Sequence, residues 1–287
     1  MAVNASLDVH ADPKGLHVTR RLLGTLFAML TASALVGTAP AEAATTTFAG
    51  TVALSNCSGS VVKPPEASLD DPALVLSNGH CLQEGFPDPG EVIVDKPSSR
   101  TFSLLSKDGR SSLGTLKAKK LLYATMTDTD VSLYQLDTSY AKIKSRYGIA
   151  PLTLSPTRPS AGIAMDVVSG YWKKIYSCNI DGFVHELHEA DWVWKDSIRY
   201  TSACKTIGGT SGSPIIETST GKVVGVNNTG NESGQRCTMN NPCEVDAAGN
   251  VTVRQGINYG EQTYQLTSCL SHSELDLANP NCRAPKP

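Results

Sequence analysis

The sequence has neither the residue spacings of a common zinc site nor an excess of charge of one sign. It contains no Cys-x-x-Cys and no His-x-x-x-His pair. Its 27 acidic and 25 basic side chains give a formal net charge of −2. This balance gives no indication of nucleic acid or an anionic membrane as a partner. We therefore predict no metal, no cofactor and no nucleic-acid partner.

The apolar run at residues 22–36 is too short to predict a membrane span. It follows two arginines and precedes an Ala-Glu-Ala segment at 41–43, which fits a small-x-small cleavage site. These features predict a signal peptide over residues 1–43 and a secreted mature chain of 244 residues (287 − 43) that starts at Ala44. After signal removal we expect no membrane association. A retained signal anchor is the alternative.

The sequence also lacks a long helical period. Short apolar or alternating runs are separated by clusters of Gly, Pro, Asn and Asp, which is typical of an all-β barrel or sandwich. The predicted strands are 51–54, 73–76, 91–95, 101–105, 131–136, 163–168, 198–202, 222–226 and 251–257. A short helix is expected around 261–270. The proline-containing stretch 141–162 predicts a connection between two β-domains, 44–150 and 151–287.

All eight cysteines follow the predicted cleavage site. An even number in an exported chain favours disulfides over metal binding. One pair would join two strands that precede residue 211, one would close a short loop, and one would tie down the C-terminal tail. These suggested pairs are Cys178–Cys204, Cys237–Cys243 and Cys269–Cys282. The sequence alone leaves other connectivities open.

Residues 208–214, Gly-Gly-Thr-Ser-Gly-Ser-Pro, place one serine among glycines in a turn that a proline closes. Glycine has no Cβ, so backbone amides can point outward there. A substrate carbonyl could then meet the Ser211 hydroxyl together with the amides of Gly209 and Ser211. This is the arrangement of a nucleophile beside an oxyanion hole. A surface turn is the alternative for this motif taken alone.

Two upstream segments supply candidate partners for the serine. His80, within Ser-Asn-Gly-His-Cys at 77–81, could act as a general base, although a packed core histidine is the alternative. Asp130 stands at the head of an alternating apolar strand and could orient the imidazole. Asp128 is the rival carboxylate, because residues two apart on a strand face the same way. We favour Asp130, since the apolar run begins directly after it, and expect Asp128 in a turn or at the surface.

Taken in the order histidine, aspartate, serine, these segments resemble the motifs of the trypsin/chymotrypsin-like serine peptidase family, especially its bacterial secreted branch. Segments 77–81, 130–133 and 209–214 are similar to the histidine, aspartate and serine motifs, with Asn78 where a small alanine is usual. Segments 57–62 and 221–226 resemble neighbouring strands of the family. The resemblance extends over residues 46–270.

The resemblance implies two antiparallel six-stranded β-barrels of the chymotrypsin-like type, with the active site in the cleft between them. His80 and Asp130 would lie in the first barrel and Ser211 in the second. It also implies a Cys57–Cys81 disulfide beside the histidine. The implied activity is that of a serine endopeptidase, which cleaves protein or peptide substrates through an acyl-enzyme. We expect a monomer.

Three residues correspond to the specificity pocket of the family: Lys205, Thr206 and Asn227. None of them is an acid that would bind a basic substrate side chain. We favour a solvated Lys205 over one that binds an acidic substrate side chain.

Thr210 stands where the animal digestive enzymes have an aspartate that pairs with a new amino terminus. We therefore expect an oxyanion hole that forms without N-terminal ion pairing.

Two other functions have to be compared with peptide hydrolysis. A secreted, catalytically silent relative could bind a partner through the same cleft. The presence of histidine, aspartate and serine in the sequence does not prove that their side chains are aligned for catalysis. A secreted esterase on a different fold is disfavoured. The Gly-x-Ser-x-Gly motif of such an enzyme would need glycine at Ser213, and its histidine and aspartate would follow the serine.

Overall fold

The computed structural model describes residues 45–287. The predicted signal peptide, residues 1–43, and the predicted start at Ala44 lie outside the described residues.

The strands of the first half are β1 Thr51–Ala53, β2 Ser58–Lys63, β3 Pro72–Ser77, β4 Val92–Pro97, β5 Thr101–Leu105, β6 Ser112–Thr125, β7 Val131–Ser139 and β8 Leu152–Thr153. Those of the second half are β9 Ala164–Ser169, β10 Lys174–Glu189, β11 Trp192–Tyr200, β12 Pro214–Glu217, β13 Val223–Gly230, β14 Cys243–Val245, β15 Val251–Thr252, β16 Asn258–Gln262, β17 Leu270–Ser271 and β18 Glu274–Leu275. The helices are α1 Tyr140–Tyr147, α2 Tyr264–Thr267 and a 3-10 helix, Gly79–Cys81.

Strand pairing closes two antiparallel barrels of six strands each. The first ring runs β1-β5-β6-β7-β3-β2, and β2 pairs back to β1. The second runs β11-β16-β13-β12-β9-β10, and β10 pairs back to β11. Outside the rings, β4 pairs with β6, β8 adds to β2 in parallel, and β14 and β15 continue from β10. The predicted fold of two antiparallel six-stranded barrels is confirmed.

Strands β2 and β3 are apolar on both faces because each face lies against a different core. Val61 and Val75 pack inside the first barrel. Their neighbours Val62 and Leu74 join a second cluster, which also contains Val223 of the second barrel. Successive side chains of a strand point to opposite faces, so adjacent residues enter different cores. The continuous apolar runs of the sequence therefore reflect burial between the barrels as well as within them.

The predicted connection 141–162 begins with a helix. Ser139 caps α1 by accepting a hydrogen bond from the Lys142 amide, and Gly148 ends it with a φ of 69°. A serine at the start and a glycine just past the end are signals that could have revealed this helix. The first sheet continues beyond residue 150, because β8 at Leu152–Thr153 pairs with β2. The exact domain boundary stays a prediction.

The predicted strand 251–257 is wrong after its second residue. It ends after two residues as β15, and the Ile257 amide then closes a turn by donating to the Arg254 carbonyl. Gly256 has a φ of 79°, which interrupts an extended strand. The helix predicted around 261–270 is the shorter α2, since Glu261 still belongs to β16.

The long strands β6 and β10 are missing from the predicted set, because charged residues occupy their exposed faces. Within residues 45–287, no helix is long and apolar enough to cross a membrane.

Candidate active site

His80 lies in the 3-10 helix that follows β3, and it is placed there by its neighbours. A Cβ on Gly79 would lie 2.3 Å from the Thr125 carbonyl oxygen, so only glycine fits at that position. Asn78 is buried, and its side-chain amide donates to the Asp130 carbonyl oxygen at 2.7 Å. The asparagine that replaces the usual alanine therefore ties the histidine segment to the aspartate segment.

The carboxylate of Asp130 makes two hydrogen bonds with His80. Asp130 is fully buried, and its Oδ2 lies 2.6 Å from His80 Nδ1. Its Oδ1 accepts a bond of 3.1 Å from the His80 backbone amide. This pairing places the proton of the neutral imidazole on Nδ1 and leaves Nε2 as the acceptor. In residues 45–287, Nε2 has no hydrogen-bond partner, so it is available for a substrate-side proton transfer.

Charge and burial act in opposite directions on the His80 imidazole. Burial lowers its pKa, but the adjacent Asp130 carboxylate and the more distant Glu189 carboxylate outweigh burial. The net result is a His80 pKa above its usual value. The site therefore stabilises an imidazolium, as a general base requires once it has taken a proton.

The structure separates Asp130 from its rival. Asp128 has a φ of 59° and precedes β7, where its backbone forms a bridge with Trp194 of β11. Its half-exposed carboxylate forms an ion pair of 2.9 Å with Lys195. Asp128 is therefore a surface residue, and Asp130 is the carboxylate in contact with His80.

Ser211 lies in the turn before β12 and faces the same cleft as His80. Its hydroxyl donates to the Asn228 carbonyl oxygen at 3.2 Å. The structure brings the serine and histidine to one cleft without a hydrogen bond between them. The next residue, Gly212, has a φ of 80°, and a Cβ there would lie 2.1 Å from the Ser58 carbonyl oxygen. This close contact with the first barrel fixes the position of the serine turn.

The amides of Gly209 and Ser211 are free to bind a ligand. Neither amide donates to any acceptor within residues 45–287, whereas the Thr210 amide between them donates to the Ile207 carbonyl oxygen at 3.0 Å. Gly209 has a φ of 86°, a conformation that favours glycine. Two unpaired amides beside one hydroxyl are the donor set that an oxyanion would accept.

Two of the three predicted pocket residues line the cleft. Thr206 and Asn227 lie along it, together with Ser211 and His80. Lys205 does not line the cleft, and its side chain is exposed, which is the solvated position favoured from the sequence. Cys204 is buried in a disulfide, whereas the side chain of Lys205 points to solvent.

One edge of the cleft is aromatic. The Phe86 ring stands edge-on to the His80 ring at 5.8 Å and to the Trp192 ring at 5.7 Å. Trp192 and Trp194 lie two residues apart at the start of β11, and both line the cleft. Two tryptophans at strand spacing are the one sequence signal that could have located this edge.

Glu189 is a buried carboxyl group that lines the cleft but is absent from the predicted site. It is 4% exposed and accepts hydrogen bonds from the Thr229 hydroxyl at 2.6 Å and from the Asn240 amide at 2.8 Å. Burial raises the Glu189 pKa above its usual value, although these two bonds lower it in part. Nothing in the local sequence distinguishes Glu189 from the exposed glutamates.

Glu261 is a second buried carboxyl group, placed behind the serine. Its Oε1 accepts bonds of 3.0 Å from the Asn228 side-chain amide and from the Ser197 hydroxyl. It has no cationic partner within residues 45–287. Burial raises the Glu261 pKa to about 8. Since the Asn228 carbonyl accepts from Ser211, the carboxyl group is two contacts away from the serine.

The eight cysteines form four disulfides. They join Cys57 to Cys81, Cys178 to Cys204, Cys237 to Cys243 and Cys269 to Cys282, the four predicted pairs. The sulfur atoms of Cys57 and Cys81 and a ring nitrogen of His80 lie within 4.8 Å of one another. The two sulfurs are bonded together, so neither is a thiolate that could bind a metal ion.

The family described as trypsin-like peptidase domain matches residues 57–226, more than half of the chain. The structure is similar to the MamO protease domain of Magnetospirillum magneticum, with 11% identity and a TM-score of 0.49 over 79% of this chain and 98% of that one. It is also similar to the thermostable serine protease AL20 of an extremophilic microorganism (15% identity, TM-score 0.43, 76% and 91% coverage). A third similar structure is Nocardiopsis protease, with 12% identity and a TM-score of 0.42 over 75% of this chain and 91% of that one. No curated protein matches the sequence.

Proposed function

Because the chain belongs to the trypsin-like peptidase family, we propose that it is a secreted serine endopeptidase whose triad is His80, Asp130 and Ser211. The observation that carries this proposal is the hydrogen bond of 2.6 Å between His80 Nδ1 and the buried Asp130 carboxylate. It leaves Nε2 without a hydrogen-bond partner within residues 45–287, on a side chain that lines the same cleft as Ser211. A structural histidine would have no need of an unpartnered nitrogen at that position.

In the first step, Ser211 Oγ attacks the carbonyl carbon of the scissile peptide bond and His80 Nε2 takes the hydroxyl proton. Asp130 stabilises the resulting imidazolium. The oxyanion accepts hydrogen bonds from the Gly209 and Ser211 amides. The tetrahedral intermediate then expels the amine, which takes the proton from His80, and an ester remains on Ser211.

Water completes the reaction. It attacks the ester carbonyl and gives a proton to His80, which returns that proton to Ser211 Oγ as the carboxylic acid leaves. Before the first step, the Ser211 hydroxyl has to turn from the Asn228 carbonyl oxygen toward His80. Exchanging one neutral hydrogen bond for another costs about 1 kcal/mol or less, which is small beside a catalytic barrier.

Export is part of the proposal. Four disulfides persist in an oxidising compartment and are rare in a reducing cytosol. They are therefore consistent with the proposed signal peptide at residues 1–43. The substrates would be proteins or peptides met outside the cell, and the enzyme would act as a monomer.

One observation favours the alternative of a catalytically silent binding protein. The Ser211 hydroxyl bonds to the Asn228 carbonyl oxygen and not to His80. A serine that keeps this bond would not be activated, and the cleft would then bind a partner without cleaving it.

A fluorophosphonate probe distinguishes the two functions, because it forms a stable adduct only with an activated serine. We expect labelling of the mature chain at Ser211, as mapped by peptide mass, and no labelling of Ser211→Ala. The same two proteins are compared on a casein or peptide-library substrate, where Ser211→Ala should lose several orders of magnitude in rate. A folded wild type that neither labels nor cleaves would support the silent alternative. Full activity in Ser211→Ala would exclude the triad.

A further inference from the structure

The peptide bond between Gly208 and Gly209 is held from outside the cleft by an aromatic side chain. We infer that Trp172 is a positioning residue for the oxyanion hole: its indole N–H fixes this peptide so that the Gly209 amide faces the cleft. The inference rests on the proposed function, since it assigns a part to the same site.

The direction of the Gly209 amide follows from the bond that Trp172 makes. Trp172 Nε1 donates to the Gly208 carbonyl oxygen at 2.7 Å. The carbonyl and the N–H of a trans peptide point in opposite directions. Because the carbonyl of the Gly208–Gly209 peptide points to the indole, its N–H points away from the indole. This is the N–H that finds no acceptor within residues 45–287.

The second proposed donor is fixed by a different group. The Ser211 amide belongs to the peptide whose carbonyl is that of Thr210. That carbonyl oxygen accepts from the Ser213 amide at 3.1 Å and from the Ser213 hydroxyl at 2.6 Å. For each proposed oxyanion donor, the carbonyl oxygen of the same peptide thus accepts a hydrogen bond from another group. For Ser211 the anchor belongs to the same turn, whereas for Gly209 it is Trp172, remote in sequence.

A pair of glycines needs such an anchor. Glycine adopts positive and negative φ about equally well, so a Gly-Gly peptide can rotate at little cost. A rotated peptide would present the Gly208 carbonyl oxygen to the cleft, where it would repel an oxyanion. The aromatic pair Tyr171 and Trp172 also packs on Gly209, because a Cβ there would lie 2.9 Å from Tyr171 Cδ1 and 3.1 Å from Trp172 Nε1. Glycine at this position lets the indole come close enough to bond.

The Trp172 side chain is half exposed, but the turn that carries it is held by hydrogen bonds to buried serines. The Trp172 backbone amide donates to the Ser169 hydroxyl at 3.2 Å, and the Tyr171 amide donates to the Ser58 hydroxyl at 3.1 Å. Ser58 and Ser169 are fully buried and lie 3.1 Å apart through their hydroxyl oxygens. The Ser58 hydroxyl also bonds to the Gly209 carbonyl oxygen at 3.2 Å. The turn that carries Trp172 and the turn that carries Gly209 are therefore joined through one buried pair of serines.

The test is Trp172→Phe, which keeps an aromatic ring and removes the N–H. Deleting one oxyanion donor outright costs about 10²–10³ in kcat, so releasing the donor should lower kcat by about 10-fold or more. KM should change by less than about threefold, because the bond matters in the transition state. Affinity for a peptide aldehyde, whose adduct carries the oxyanion, should weaken with kcat/KM. Tyr171→Phe is the matched control and should keep wild-type kcat.

The outcomes separate this inference from the proposed function. Wild type that neither cleaves nor labels at Ser211 would refute the endopeptidase itself. Active wild type with a folded Trp172→Phe at unchanged kcat, or with an effect confined to KM, would overturn only the role of Trp172. If Trp172→Phe melts early, benzothienylalanine at position 172 replaces it, because this residue keeps the bicyclic shape and lacks the N–H. An unchanged kcat in that variant would equally overturn the inference.

Discussion

The side-chain amide of Asn227 donates a hydrogen bond of 3.1 Å to the hydroxyl of Thr210, the residue before Ser211. The Thr210 hydroxyl donates in turn to the Ile207 carbonyl oxygen at 2.5 Å. Tyr200 completes the chain by donating to Asn227 Oδ1 at 3.1 Å. All of these groups are neutral, and the side chains of Thr210, Asn227 and Tyr200 are buried. Within residues 45–287, the serine turn is thus held without an ion pair.

The first prediction is that the N-terminus needs no trimming beyond Ala43. Thr210 has no charge that could pair with an ammonium group, and its hydroxyl is already bonded. We expect a chain starting at Ala44 and one with a short uncleavable N-terminal extension to have equal kcat/KM within about threefold. Intact masses are verified before and after the assay. An extended form that gains activity only on trimming would contradict this expectation.

Loss of the Thr210 hydroxyl should weaken both the fold and the site. Thr210→Val keeps the shape but leaves the Asn227 amide without its partner. An unpaired buried polar group costs about 1–3 kcal/mol, which we expect as a fall in the free energy of unfolding. kcat should fall as well, since the turn carries both proposed oxyanion donors. Thr210→Ser is the control, because it keeps the hydroxyl. Equal denaturant midpoints for Thr210→Val and wild type would show that the hydrogen bond contributes nothing.

The Cys57–Cys81 disulfide should support activity as well as stability, because Cys81 is adjacent to His80 and buried. Replacing both cysteines with alanine should lower the free energy of unfolding by about 2–5 kcal/mol. kcat should fall at temperatures where the variant is still folded. The matched control replaces Cys269 and Cys282, which tie down the C-terminal tail away from the cleft. This control should lose stability and keep the wild-type kcat. Equal kcat in the two double-cysteine variants would show that the Cys57–Cys81 disulfide does not help to position His80.

Glu189 should affect the pH profile. Its carboxylate raises the His80 pKa, because negative charge favours the imidazolium. Catalysis needs the neutral imidazole, so Glu189→Gln should lower the His80 pKa and move the acid limb of kcat/KM to lower pH. Glu186→Gln removes a partly exposed carboxylate, bonded to His188, from the same strand and outside the cleft, and serves as the control. An unmoved acid limb in Glu189→Gln would show that the two groups do not interact.

The buried Glu261 should make stability depend on pH. Its pKa is raised from 4.5 to about 8, so the folded state keeps a proton that the unfolded state has lost between these values. Stability should therefore fall as pH rises through this window, with a slope of up to about 1.4 kcal/mol per pH unit. Glu261→Gln should lack this slope, whereas Glu66→Gln, at an exposed position, should keep it. Parallel curves for wild type and Glu261→Gln would refute the shifted pKa.

The resemblance of the motifs, in their order along the chain, to a known family implied the two barrels and the pairing of His80 with Asp130. The local pattern supported the choice of residues, since an apolar run starts after Asp130 and glycines lie close to Ser211 on both sides. The resemblance also implied the Cys57–Cys81 pair, whereas the other three disulfides were suggestions that the structure confirms.

The buried carboxyl groups could not be predicted in this way. Glu189 is buried through Thr229 and Asn240, which are 40 and 51 residues away. Strand periodicity tells which residues share a face, but not which face a distant loop will cover. The place of Lys205 could not be settled by counting back from the serine either, because a count does not tell whether a side chain enters the cleft. Its side chain is exposed and does not line the cleft.

The apolar faces of β3 have a consequence for how the strand finds its partners. A slip by one residue would exchange one apolar core for the other, so hydrophobicity hardly opposes it. Polar contacts at the end of the strand oppose the slip. The Ser77 hydroxyl donates to the Ser58 carbonyl oxygen at 2.8 Å, and the Asn78 side-chain amide donates to the Asp130 carbonyl oxygen. These residues lie three and two positions before His80, so the same contacts set the strand register and the place of the histidine. A chain in which His80 is replaced would therefore still need Ser77 and Asn78 in order to fold.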